Sequence, residues 1–369
     1  MDGLAIVAEV PRYERHPQLY HDDGDVVLRA HISSEGHPLR YQLFCVRKAI
    51  LSAHSDVFSN LFADASENVG PTYDGKPLIN LADEAADVTH LMLYLYDSSR
   101  YLLRNWHPDT PLELLGAARL ADKYVMPTVR AAMVRRVTMD WPTTVSQWDI
   151  HQARIRAMEE LITRPDYPQY IVVARLTPEP VAAINFARAH GCPELLPAAF
   201  YRLASIDVGN DWSVLDQFPH PSARLFARWP LCANEDLLRC MRGKQALAEY
   251  HTAVYTRLKN AEPLAEDCKA LYWVPGGAVG QQWDWNGRPS PRSPCAHCMQ
   301  TLCEMGWGQV PMDDPLKALA DLIDYRNIED LTRACPAGLC VDCEAELALW
   351  VTKERMALWG RLSDYFKLK

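Results

Sequence analysis

Asp25-Val26-Val27-Leu28-Arg29-Ala30, followed after a polar turn by Leu43-Phe44-Cys45-Val46-Arg47-Lys48-Ala49-Ile50-Leu51-Ser52-Ala53-His54-Ser55-Asp56-Val57-Phe58, decides how the first third of this chain folds. Val26, Leu28, Ala30 and Ile32 fall on one side of an extended segment, and Val27, Arg29 and His31 on the other, which is the period of a strand. Ser34-Glu35-Gly36-His37-Pro38 is turn chemistry, so Tyr41 to Val46 reads as the returning strand of a hairpin. A short apolar helix, a Ser55-Asp56 helix start and a second short helix follow. Leu78-Ile79-Asn80-Leu81 adds a third short strand.

Downstream the period changes from two to 3.6. Asp83 stands where an N-cap would, and Val88, Leu91, Met92, Leu95 and Tyr96 make one apolar helical face. Thr110-Pro111-Leu112-Glu113 has the form of a capping box with a proline at the first helical position. Leu114, Ala117, Ala121 and Tyr124 continue that stripe. Pro127 then breaks the helix and restarts one carrying Val129, Met133 and Val137.

This order of elements resembles the BTB/POZ domain, whose signature pairs an Asp-Val strand with a Phe-x-Val-His-Lys-x-x-Leu run. Arg47 stands where the family usually has His. The resemblance implies an α+β fold over 23–140, a small sheet packed on a helical cluster. It also implies a non-enzymatic protein-protein interaction scaffold that homodimerises through its first helix and strand edges. The family's central charged pair maps onto Asp25 and Lys48. As an alternative, family members that serve as substrate adaptors of cullin-type ubiquitin ligases carry a hydrophobic-x-Glu motif after the second helix. The nearest counterpart is Ala65-Ser66-Glu67, with Phe58, Phe62 and Glu67 as the residues a cullin would meet.

The remaining chain reads as helical. Trp141-Pro142-Thr143-Thr144 closes the first domain, and short helices joined by proline-rich turns fill 141–274. Within it, Val145 to Leu161 is helical, Thr177-Pro178-Glu179-Pro180 caps a helix, and Gly191-Cys192-Pro193 closes it. Residues 275–294 read as a loop, pinned by Trp283 and Trp285, and 295–369 as a cysteine-rich helical region. A 1–22 segment precedes the first domain. Leu195-Leu196-Pro197-Ala198-Ala199-Phe200-Tyr201, with Cys340-x-x-Cys343 and Leu358-Trp359, resembles a large group of fungal BTB-domain proteins.

Cys295-Ala296-His297-Cys298 and Cys340-Val341-Asp342-Cys343 are two Cys-x-x-Cys pairs, and two such pairs deliver the four soft ligands of one structural zinc. The interval between them exceeds the usual spacing, so reduced, part-buried thiols are the other reading, and Cys303, Cys335 and His297 are alternative ligands. Cys45, Cys192, Cys232, Cys240 and Cys268 fit core packing. With no export signal, the eleven cysteines are expected as thiols or metal ligands in an intracellular protein, nucleus and cytoplasm undistinguished. No apolar run reaches membrane-spanning length. A net charge of −9 argues against nucleic acid as a partner, and so against a transcriptional regulator with a zinc-stabilised C-terminal region. No phosphate loop, nucleophile elbow or His-Glu-x-x-His occurs, so no catalytic residue is assigned.

Overall fold

The computed structural model describes residues 11–33, 40–67, 70–162, 164, 166, 172–217, 222–260, 265, 268, 294–307, 314–327, 329, 333 and 338–368. The expected turn at 34–38 and the loop at 275–293, with Trp283 and Trp285, lie outside the described residues. The chain is α+β and divides into two compact units that interleave in sequence. One takes 1–142, 153–199 and 210–231; the other takes 143–152, 200–209 and 232–369. This division cuts across the expected 141–274 segment. No helix among the described residues is long and apolar enough to cross a membrane.

The first unit is built on a five-stranded sheet. Its strands are β1 (Arg12–Tyr20), β2 (Val26–Ile32), β3 (Arg40–Val46), β4 (Thr72–Tyr73) and β5 (Lys76–Glu84), in the spatial order β1-β3-β2-β5-β4. β2 and β3 form the expected antiparallel hairpin, and β5 returns parallel to β2. Val26, Val27 and Leu28 are all buried, so this central strand is covered on both faces and not on one. Asp74 and Gly75, both at positive φ, make the tight turn between β4 and β5.

Three local readings are corrected. The 1–22 segment contains a strand, β1, parallel to β3 at the sheet edge. Pro17 hides its pattern, while Arg40 to Glu14 at 2.6 Å and Arg29 to the Tyr13 hydroxyl at 3.0 Å tie its first half down. Asp83 is not an N-cap: it ends within β5 and accepts from Lys123 at 2.6 Å and from the Tyr124 hydroxyl. Likewise Glu113 does not close a capping box but pairs with Arg104 at 3.3 Å.

Helices α1 (Lys48–Ser52) and α2 (Asp56–Glu67) follow the hairpin, and α3 (Ala85–Tyr96), α4 (Ser99–Leu102), α5 (Thr110–Lys123) and α6 (Pro127–Thr138) follow β5. The buried Ser55 hydroxyl starts α2, accepting from Phe58 N at 3.1 Å while donating to Tyr124 O at 2.6 Å. In α6 the buried Arg136 reaches Asp140 at 2.5 Å. α7 (Val145–Ile162) begins in the second unit and ends in the first. Within the Thr177–Pro180 stretch, Glu179 caps α8 (Pro180–His190), accepting from Val181 N and Ala182 N at 3.0 and 2.7 Å. It accepts from Arg228 N as well, at 3.0 Å, so one buried carboxylate also fixes the chain at 228.

The second unit is helical. α9 (Leu196–Ala204) carries Tyr201 into it, where the buried hydroxyl donates to Asp314 at 2.8 Å and accepts from Leu316 N at 3.0 Å. These two bonds, with Asp314 accepting from Lys317 N, start α12 (Pro315–Ile323). α10 (Asn234–Lys259), α11 (Pro294–Thr301) and α13 (Val341–Tyr365) are further helices of this unit. Gly243 in α10 faces the buried Phe366 ring so closely that a Cβ there would overlap it, whereas nothing approaches Gly360 in α13. Gly243→Ala is therefore expected to destabilise the protein by about 1–3 kcal/mol through overpacking, and Gly360→Ala to stabilise it by up to ~1 kcal/mol through helix propensity. Chemical denaturation of the two variants checks the opposite signs.

Candidate metal centre and helix-capping carboxylate

The helix starts of the second unit place its cysteines. Pro294 opens α11, which puts Cys295 in that helix's first turn. Cys340 is the N-cap of α13, and Cys343 lies in its first turn. Three sulfurs are thus presented by the first turns of two helices, where the helix dipole favours negative charge. The fourth comes from Cys268, whose backbone N–H turns back onto Ala265 O at 3.2 Å.

The four sulfur atoms of Cys268, Cys295, Cys340 and Cys343 all lie within 4.8 Å of one another. All four are free thiols, and Cys295 and Cys343 are buried. In an ideal tetrahedron with ~2.3 Å metal–sulfur bonds, the sulfurs stand about 3.8 Å apart. A spread of no more than 4.8 Å is compatible with that scale, and none of the four is in a disulfide. Cys340 N donates to the Cys295 sulfur at 3.2 Å, the kind of outer hydrogen bond that orients a thiolate ligand. Burial pushes the Cys295 thiol up to about 11 and raises Cys343 as well, with the neighbouring thiols adding to both. Burial thus favours the neutral thiol at Cys295 and Cys343. A divalent cation reverses that preference, because coordination deprotonates the thiol.

The expected ligand set is corrected at one position. Cys295, Cys340 and Cys343 come together, but Cys298 is disulfide-bonded and Cys268 takes its place. Cys295-Ala296-His297-Cys298 is helical and not a turn, so Cys298 sits one helical turn further along α11. The disulfide also departs from the expectation of reduced thiols throughout. Cys268 was grouped with the core cysteines, yet its neighbours Glu266, Asp267 and Lys269 are poor company for a buried thiol. That polar context was the signal to read. Cys45, Cys192, Cys232 and Cys240 are buried, as core packing requires. Cys303 is buried and donates to Tyr255 O at 3.5 Å.

The residues assigned to partners lie in the first unit. Asp25 and Lys48 do meet, but through the backbone: Asp25 Oδ1 accepts from Lys48 N at 2.7 Å and so caps α1. The Lys48 ammonium instead sits 5.9 Å from the centre of the Phe62 ring. Arg47, at the family's histidine position, pairs with Asp23, and its N–H donates to the Tyr96 hydroxyl at 2.8 Å. Phe58 and Phe62 are core residues, 0% and 4% exposed. They stack on each other at 5.7 Å, and Phe58 stacks on Tyr124 at 4.4 Å. In the chain itself both rings are taken up by packing within the first unit. Glu67 ends α2.

Asp25→Ala removes the acceptor at the start of α1 and is expected to cost about 1 kcal/mol of stability, with Asp25→Asn losing less; equilibrium denaturation compares the two. No family model, curated protein or solved structure matches the chain.

Proposed function

We propose that this protein is a non-enzymatic interaction scaffold, with a homodimerising BTB/POZ-type module over residues 23–140 and a C-terminal unit held by one structural zinc. The observation that carries the first part is the element order. A β2–β3 hairpin leads into the α1–α2 helix pair, β5 returns parallel to β2, and α3 to α6 follow. This is a small sheet with a helical cluster on it, the plan the BTB resemblance implies. The cap from Asp25 to Lys48 N supports it further, because it fixes the first helix directly after the hairpin, where the family places its dimer contact.

The four-sulfur cluster supports the second part. An S4 set gathered within 4.8 Å suits Zn2+, which has no redox chemistry and no d-electron preference for geometry. Cys268, Cys295, Cys340 and Cys343 fill all four positions of such an ion, leaving no open site for a substrate or water. The zinc is therefore a structural staple. In metal-nucleated domains such binding contributes on the order of 10 kcal/mol to folding at neutral pH. Partner choice then belongs to the surfaces of the scaffold and not to any bound group.

Native mass spectrometry of the full chain tests both parts together. The expected species is a dimer of the 41.8 kDa chain with one zinc per chain. Cys268→Ser is expected to lose the metal, and Cys298→Ser to retain it. A monomer at micromolar concentration contradicts the dimer, and a metal-free chain from zinc-replete expression contradicts the staple.

A further inference from the structure

Outside the four-sulfur cluster, one more thiol is held against a reactive group. Cys45, in β3, is free and fully buried. The Lys76 ammonium, at the first position of β5, donates to its sulfur at 3.2 Å and to Asp22 O at 3.0 Å.

Strand register explains the meeting. Val27 of β2 pairs with Cys45 on one side and with Leu78 on the other, so Cys45 and Leu78 share a face of the sheet. Lys76 is two residues before Leu78 and falls on that same face. Its long side chain then crosses β2 diagonally to the sulfur. The His21–Gly24 turn closes over the pair: His21 N donates to Cys45 O at 2.9 Å, and a Cβ at Gly24 would lie 2.7 Å from the Cys45 sulfur. Tyr20, Tyr73 and Leu78 pack around the thiol's cluster. The amine is thus the group positioned to meet whatever forms on this sulfur.

We propose that Cys45 and Lys76 are an oxidative cross-linking pair, joined by a sulfenamide bond when the protein meets a peroxide. Cys45 sulfur attacks one peroxide oxygen, giving the sulfenic acid and one water. The Lys76 amine, having released a proton, attacks that sulfur; a nitrogen–sulfur bond forms, the sulfur–oxygen bond breaks, and the hydroxyl leaves as a second water. Sulfur loses two electrons and the peroxide gains them, and one thiol, one ammonium and one hydrogen peroxide become the sulfenamide, two waters and one proton. A sulfenic acid condenses with nitrogen in this way when one is held beside it, and a nucleophile already in contact competes well with solution thiols. The bond ties β3 to β5 across β2, and a thiol reductant reverses it.

The test is peptide mapping by mass spectrometry after treating the folded full chain with hydrogen peroxide. The expected product joins the Cys45 and Lys76 peptides with a mass equal to their sum less two hydrogens, and dithiothreitol abolishes it. Lys76→Arg keeps a cationic donor but offers no comparable nucleophile. It is expected to yield no joined species, with its unoxidised melting temperature confirming the fold. A wild-type chain whose Cys45 stays a thiol, or passes to the sulfinic acid with no joined peptide, overturns the proposal. A joined species one oxygen heavier overturns the sulfenamide assignment.

Discussion

The convergence of four cysteine sulfurs within 4.8 Å is the constraint on which the C-terminal unit depends. The thiols come from Cys268 and from the starts of α11 and α13, widely separated in sequence. Bringing such distant points together costs loop-closure entropy that grows with the logarithm of the intervening length. The proposed zinc, bound only in the folded state, would offset that cost at a single point, because deprotonated sulfur is better tolerated beside a cation than in a low-dielectric interior. The Tyr201 hydroxyl plays a smaller version of the same part. It joins α9 to the start of α12 through Asp314 and Leu316 N, so that helix start is fixed by a side chain far away in the chain.

In the sheet-bearing unit the equivalent constraint is β2. With Val26, Val27 and Leu28 buried, a one-residue slip has no solvent face onto which to discard side chains, and the register is pinned from both sides. That register fixes what the strand ends present. It delivers Asp25 to the start of α1, and it lines Lys76 up with the Cys45 sulfur. The two proposals, a dimer contact at the first helix and an oxidative cross-link, rest on the same strand pairing, one at its end and the other on its face.

The hairpin, the α3 stripe and the restart at Pro127 were legible because each is a local pattern: alternation, a 3.6-residue period, a proline at a helix's first position. β1 was not, because its pairing with β3 rests on cross-strand contacts such as Arg40 to Glu14 that carry no local period, and Pro17 reads as a break. Caps misled in the same way. Asp83 and Thr110 are good capping residues by type, but Asp83 is taken by Lys123 and Tyr124, and the N-cap position of α5 falls on Asp109. At the four-cysteine cluster, Cys295, Cys340 and Cys343 could be read from Cys-x-x-Cys spacing. Cys268 has no such spacing, since its proximity to the others is set by tertiary packing, and only its polar neighbours set it apart. Phe58 and Phe62 show the converse: a motif match named them as contacts, and burial assigns them to the core.

X-ray absorption at the zinc edge of the purified full chain tests the central claim most directly. Four sulfur scatterers at about 2.3 Å are expected, with no nitrogen or oxygen in the shell. A mixed shell, or no zinc edge in protein that is folded and cooperative, would contradict the four-cysteine staple.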